Sequence, residues 1–242
     1  MLPVYVLSLP GCESRRAPLL QSLRELRFEP DVVLGIDGRA GLPSEYEPQI
    51  DRVTANRRAR RSLTDGEFAC ALSHQAVYAR LLEDGHERAI VFEDDAIIDR
   101  SLLSVLHDLE DHDFDLVLLD HDLARAQRRS RRRLPSGSIL WRVANIPDLN
   151  TGYILSAAGA AKIAALSFPI TYNADWPCDV AQLRTYAVMP RAVGRPRSKD
   201  ASLLHSARQK SQRSARWGNP TPPHSRTDFA ARLSRFLARR LF

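Results

Sequence analysis

Glu93, Asp94 and Asp95 are three consecutive carboxylates that close a short apolar run, Ala89 to Phe92, rich in β-forming side chains. Adjacent acids at the end of a strand repel one another unless a cation lies between them. In an extended backbone, side chains two apart point the same way, so Glu93 and Asp95 are expected to share one ion. Hard oxygen donors of this kind suit Mg²⁺ or Mn²⁺, above all where the metal also holds phosphate oxygens. The plainer alternative is a solvated acidic loop. The apolar run in front and Ala96-Ile97-Ile98 behind favour an embedded site.

Other chemistry-bearing residues fall near expected element ends. Ser14 can cap a helix to about Arg27 with Leu19, Leu20, Leu23 and Leu26 inward, which puts Arg15 and Arg16 in its first turn. Cations there oppose the helix dipole, and a nearby anion would account for them; two solvated arginines are the alternative. Val32 to Ile36 reads as a strand followed by Asp37-Gly38. An acid in that place can reach a ribose hydroxyl or serve only as a turn former. Thr64-Asp65-Gly66-Glu67 is a capping box opening a helix to about Glu83, with Gly85 just beyond. Glu67, Cys70 and His74 recur at i, i+3 and i+7 on one face of it, beside Ser73. Such groups need partners, and a satisfied core histidine is the alternative to a functional one.

Asp115 to Leu119 is a further strand, ending in Asp120-His121-Asp122, which could add ligands at the same sheet edge or begin a loop. Tyr172 to Asp179 mixes acids, aromatics and a proline, and it enters an expected helix over 180–186 with Asp179 near the N-cap. Ser101 to Leu109 and the alanine-rich stretch from Ser156 to about Leu166 are expected helices. Val4 to Leu7, Ser138 to Val143, Thr151 to Leu155 and Val188 to Val193 are expected strands. Residues 39–62 read as a polar surface excursion, and the six arginines between Arg125 and Arg133 as an exposed, mobile run. Strands alternating with helices over the first 190 residues predict an α/β layered domain with a mainly parallel sheet. Ligands of such sheets bind beyond the carboxyl ends of the strands, so a metal with a nucleoside diphosphate is the default expectation.

The chain of 242 residues, 44% hydrophobic, suits one large domain, or one domain with an appendage. No apolar run approaches the roughly 20 residues of a membrane span, and the start of the chain reads as a core strand, not a signal peptide. Cys12, Cys70 and Cys178 are odd in number and far apart, which fits neither a disulfide framework nor a zinc motif and suggests a reducing compartment. Residues 191–242 carry a net charge of +11 against −5 for the rest, giving +6 overall. The division is therefore a domain over 1–194 and a basic tail over 195–242. Such a tail suits an anionic partner. Pro220, Pro222 and Pro223 mark a linker before a terminal helix from Thr227. Phe229, Leu233, Phe236, Leu237 and Leu241 would form its apolar stripe, opposite Arg232, Arg235 and Arg239. That pattern fits a helix lying on anionic lipid, with docking on the protein's own body as the alternative.

VYVLSLPGCESRR at 4–16, GIDGR at 35–39, LTDGEFACALSH at 63–74, AIVFEDDAII at 89–98, LVLLD at 116–120, NTGYILSAAGAAKI at 150–163, PCD at 177–179 and VMPRAV at 188–193 occur in that order. Together they resemble glycosyltransferase family 25, which includes bacterial lipooligosaccharide galactosyltransferases and procollagen galactosyltransferases. The resemblance implies a GT-A type, Rossmann-like domain, a UDP-sugar donor and transfer assisted by Mn²⁺ or Mg²⁺, usually of galactose with inversion. It implies that Glu93 and Asp95 hold the metal, with His205 as an additional ligand. Ser8, Arg15, Arg16, Asp37, Glu67, His74, Glu93 and Asp94 would serve the donor. An inverting transfer needs a base for the acceptor hydroxyl, with Asp179 first, Asp175 second and Asp120 third. The implied acceptor is a lipooligosaccharide or other glycan, and the implied location is peripheral, on the inner face of the cytoplasmic membrane. A metal-dependent phosphohydrolase and a basic nucleic-acid binder are the other classes. No nucleic acid is expected, because the arginines lack interleaved aromatics.

Overall fold

The computed structural model describes residues 2–172 and 175–196, together with the backbone of Arg239–Arg240. An eight-stranded sheet runs through it. In chain order the strands are β1 (Val4–Ser8), β2 (Pro30–Leu34), β3 (Arg88–Glu93), β4 (Leu116–Leu118), β5 (Arg125–Ala126), β6 (Arg132–Arg133), β7 (Ile139–Arg142), β8 (Gly152–Ser156), β9 (Thr185–Met189) and β10 (Arg239–Arg240). The helices are α1 (Glu13–Glu25), α2 (Arg52–Ala59), α3 (Asp65–Glu83), α4 (Ser101–Asp108) and α5 (Ala157–Leu166). The large sheet has the order β2-β1-β3-β8-β4-β9-β7-β6, while β5 and β10 form a separate pair.

Strand alternation divides the apolar residues between two faces. Tyr5, Leu7, Val91, Tyr153 and Leu155 pack under α3 and α5 with Val77, Tyr78, Leu81 and Ile163. Val4, Val6, Ile90, Phe92 and Ile154 pack on the other face with Leu19 and Leu23 of α1 and Leu102 and Val105 of α4. The result is helix, sheet, helix in three layers, as the α/β reading expects. A smaller cluster of Ile50, Ala55, Phe68, Leu72 and Ile170 joins α2 to the side of α3.

The expectation of a mainly parallel sheet is corrected: three neighbouring pairs are parallel and four antiparallel. Parallel neighbours need a crossover, usually helical. No helix lies between β4 and β8, so β8 enters antiparallel between β3 and β4. Four local readings change as well. The excursion over 39–62 contains a 3₁₀ turn, Ser44–Gln49, and α2, whose N-cap Asp51 accepts from the Thr54 amide at 2.9 Å. The exposed arginine run is ordered as β5 and β6, with Arg132–Arg133 paired to β7. The helix expected over 180–186 is one 3₁₀ turn, Val180–Gln182, leading directly into β9. Arg239 and Arg240, expected in a terminal helix, are extended and pair antiparallel with β5, a short edge whose backbone groups invite such pairing. The remainder of that expected helix, the proline linker and His205 lie outside the described residues. Among the described residues no helix is long and apolar enough to cross a membrane.

Asp115 ties three elements together just before β4. Its carboxylate is 1% exposed and accepts from Lys162 Nζ at 2.8 Å, from the Arg184 amide at 2.8 Å and from Arg184 Nη2 at 3.1 Å. Burial alone would raise this carboxyl, but the hydrogen bonds from Arg184 and Lys162 prevail and hold it at about 2. A carboxyl lowered by folding stabilises above its unfolded value and loses that contribution as pH falls through the folded one. Asp115→Asn should therefore cost about 2 kcal/mol at neutral pH, with the deficit closing between about pH 4 and pH 2. Urea denaturation across that range checks this; a deficit independent of pH would contradict it.

Candidate active site

β1 and β3 run parallel with Leu7 opposite Glu93, so both strands end at one place. Alternation then splits the acidic triplet. Val91 faces α3 and Phe92 faces α1; Glu93 follows Val91 to the α3 side, and Asp94 follows Phe92 to the α1 side. The strand stops there, because the Ala96 amide donates to the Glu93 carbonyl at 3.1 Å and turns the chain. Asp95 consequently does not repeat the direction of Glu93 as period-two geometry would have it.

On the α1 side, Asp94 accepts from Ser8 Oγ at 2.9 Å and from Arg15 Nε at 2.5 Å. The same guanidinium reaches Asp95 through Nη2 at 2.6 Å. Arg16 lies behind it, with Nη1 at 3.4 Å from Ser8 Oγ and Nη2 paired to Glu13. Burial first, and then the charge of Glu93, push the Asp95 carboxyl up to about 6 against the pull of Arg15. Its Oδ1 is buried with no hydrogen-bond partner. A carboxylate so placed calls for a further cation, and with Glu93 it offers oxygen donors that fit a hard divalent ion.

On the α3 side, Glu93 Oε1 lies 3.6 Å from Nε2 of His74, a fully buried ring. The other ring nitrogen, Nδ1, is 2.9 Å from the Tyr153 hydroxyl. Cys70 stands one helical turn before His74 and lines the same cleft as Glu93. That cleft holds about 740 Å³, mouth included, and runs from Ser8, Arg15 and the acidic triplet to a facing wall of Gly35, Ile36, Gly38 and Arg39. The two glycines allow this wall to lie directly on α3. A Cβ at Gly38 would sit 2.6 Å from the Asp65 carbonyl, and one at Gly35 would sit 2.9 Å from Ser73 Oγ. Ser73 Oγ accepts from the Ile36 amide at 2.8 Å and pins the loop. Asp37 points to Arg39, whose hydrogen bonds hold its carboxyl below the ordinary range. Arg39, not Asp37, faces the cleft.

The other residues expected from sequence are placed as follows. Glu67 is wholly buried; it closes the capping box with Thr64 and is gripped by Arg61 at 2.5 and 2.8 Å, outside the cleft wall. Asp120 is buried just past β4 at the same sheet edge. Its amide donates to the Gly152 carbonyl while that of Glu93 donates to Thr151, so β8 alone separates the two acids, at two strand spacings or about 10 Å. Asp120 Oδ1 is 3.4 Å from Arg191 Nη1, and Oδ2 has no partner. Asp175 comes to that edge through its carbonyl, which accepts from Asn150 Nδ2 at 2.7 Å. Asp179 caps the 3₁₀ turn by accepting from the Ala181 amide at 3.1 Å. That turn leads to Thr185, which pairs with Leu116 at the other end of β4. The structure thus gathers Ser8, Arg15 and Arg16 to Asp94 and Asp95, sets His74 against Glu93, places Asp120 and Asp175 nearby, and leaves Glu67 and Asp179 in capping roles. Sequence reasoning missed Arg39 and the close approach of Gly35 and Gly38. The Gly-Ile-Asp-Gly spacing carried that signal, since two glycines around an acid are more than one turn needs.

The sequence profile of glycosyltransferase family 25 (LPS biosynthesis protein) matches residues 1–135. Human procollagen galactosyltransferase 2 is 27% identical over 189 residues, covering 70% of this chain and 30% of that protein. Zebrafish procollagen galactosyltransferase 1 is 24% identical over 169 residues, with 66% and 28% covered. A rat relative named probable inactive glycosyltransferase 25 family member 3 is 28% identical over 180 residues, with 67% and 29% covered. The chain thus spans under a third of the length of these relatives.

The raised Asp95 carboxyl has a consequence for stability. A carboxyl raised by folding destabilises once it ionises, so the penalty is absent below about pH 4 and complete above about pH 6. Measured in EDTA, Asp95→Asn should gain about 2 kcal/mol above pH 6 and nothing below pH 4. A loss of stability at pH 7.5 would mean that the Arg15 pairing outweighs the burial.

Proposed function

The chain belongs to glycosyltransferase family 25, and from that membership we propose that its cleft binds a UDP-sugar and passes the sugar, galactose in our reading, to a hydroxyl of a glycan acceptor with inversion. The single observation that carries the reading is the guanidinium of Arg15 spread across Asp94 and Asp95 at the end of β3. Arg15 is a group that can turn from the carboxylates to a diphosphate. The acids it leaves are then positioned to hold a cation against the same diphosphate. When bound, Mn²⁺ or Mg²⁺ would supply Lewis-acid stabilisation of the departing UDP, with Glu93 and Asp95 as the residues to hold it. Ser8 and Arg16 support the diphosphate side, and the Gly35–Arg39 wall supports the nucleoside.

Among the carboxylates available as base, Asp179 is engaged in capping and Asp120 is almost wholly buried beside Arg191. Asp175 is partly exposed at the edge that carries the cleft, and we assign it the base. The acceptor in this reading is a lipooligosaccharide, consistent with the family's description as LPS biosynthesis proteins. Arg125, Arg128, Arg129, Arg131, Arg132 and Arg133 are all exposed. Such a surface suits a phosphate-bearing membrane face, and the enzyme would act there peripherally, on the cytoplasmic side.

Mass spectrometry of products from a UDP-sugar panel, offered with a lipooligosaccharide acceptor and Mn²⁺, tests the reading. The expected product is an acceptor heavier by one hexose. Sugar released only to water would show a hydrolase, and no turnover of any donor would place the chain with its inactive relatives. Asp175→Asn should lower turnover about 10²- to 10⁴-fold with UDP affinity retained, the range for loss of a general base. A loss of that size in Asp179→Asn instead would move the base to Asp179.

A further inference from the structure

Cys70 and His74 stand at i and i+4 on α3, and Glu93 meets them from the end of β3. The Cys70 sulfur, a His74 ring nitrogen and a Glu93 carboxylate oxygen all lie within 4.8 Å of one another. With metal–ligand bonds of about 2.0 to 2.3 Å, three donors this close need only small side-chain movements to converge on one ion. An independent observation points the same way. His74 is fully buried, yet its Nε2 has no hydrogen-bond partner and faces Glu93 Oε1 at 3.6 Å. Its Nδ1 is fixed by the Tyr153 hydroxyl at 2.9 Å. In the tautomer that donates from Nδ1, the Nε2 lone pair is directed at the cluster. A histidine held by its far nitrogen with the near one presented is how metal-ligating histidines are oriented.

We propose that Cys70, His74 and Glu93 bind one transition-metal ion of borderline softness, best matched by Zn²⁺, with a fourth position open to the cleft. A thiolate and an imidazole beside one carboxylate select against Mg²⁺ and favour Zn²⁺ or Co²⁺. The open position follows from Cys70 and Glu93, which both line the cleft, so a water or a ligand oxygen can complete the sphere. Binding releases the Cys70 thiol proton to solvent. The site lies on the α3 side of the strand end and shares Glu93 with the cation proposed beside Asp95, each ion taking one of the two carboxylate oxygens. It revises the expectation that the cysteines fit no metal site. A Cys–His pair on a helix takes its third ligand from a sheet, which no local spacing reveals. The inference does not rest on sugar transfer, and its test contains neither donor nor acceptor.

The test is titration of the full chain, stripped with EDTA and exchanged into chelator-free buffer, with Co²⁺. One equivalent should bind with a near-ultraviolet sulfur-to-cobalt charge-transfer band, and Zn²⁺ should displace it. Cys70→Ser should abolish that band, whereas Cys12→Ser should retain it. Should Cys70→Ser fail to fold, Glu93→Gln with all cysteines intact should bind Co²⁺ at least about tenfold more weakly. The proposal is overturned if Co²⁺ binds without a charge-transfer band, which would place the metal on the acidic triplet alone. It is equally overturned if no metal binds, if the band survives in Cys70→Ser, or if Glu93→Gln leaves the affinity unchanged.

Discussion

The site depends on one electrostatic constraint, the crowding of three carboxylates at the end of a buried strand. Unit charges a few ångströms apart at a partly buried site repel by several kcal/mol, so such a cluster persists only where its charge is divided or neutralised. Here both occur. The strand sends Glu93 and Asp94 to opposite faces of the sheet, and the turn that follows gives Asp95 to Arg15. Every nearby element serves that division. Parallel pairing of β1 with β3 sets Ser8 beside Asp94, and the β1–α1 connection delivers Arg15 to both aspartates. Packing of α3 under the sheet brings Cys70 and His74 to Glu93. The neutralisation is incomplete, since Asp95 stays raised and one of its oxygens stays without a partner, so the cluster retains an attraction for a cation.

Much of this was legible in the residues. The apolar run ending in three acids, the capping box at Thr64 and the i, i+4 pairing of Cys70 with His74 are local patterns, and local patterns survive folding. The three-layer arrangement followed from alternating strands and helices. The mixed sheet did not, because β7 and β8 are placed by connections that lack a helix, and strand direction is not written in a strand's own sequence. The direction of Asp95 departs from expectation for a related reason: period-two geometry holds only while the strand continues, and the Ala96–Glu93 hydrogen bond ends it before Asp95, although Glu93 and Asp95 still line one cleft. Asp179 shows the limit for a single residue. An acid before a helix-like stretch marks a cap, and a cap can be all that it is.

The arginines illustrate how charge alone under-determines structure. Arg15 and the run from Arg125 to Arg133 look alike as sequence, yet Arg15 is half-buried between two aspartates while the run stays exposed along short edge strands. What separates them is the partner available in three dimensions. A guanidinium between two carboxylates can be released only to another anion of comparable charge, and a nucleoside diphosphate satisfies that condition. That exchange links the fold to the proposed chemistry.

The central claim is that Arg15 exchanges the aspartates for a diphosphate, and a crystal structure of the chain with UDP and Mn²⁺ measures it directly. The account expects the diphosphate in the cleft within hydrogen-bond distance of Arg15, with the contact from Arg15 to Asp95 broken and a metal at that carboxylate. A structure in which Arg15 still bridges Asp94 and Asp95 while UDP lies elsewhere would contradict it.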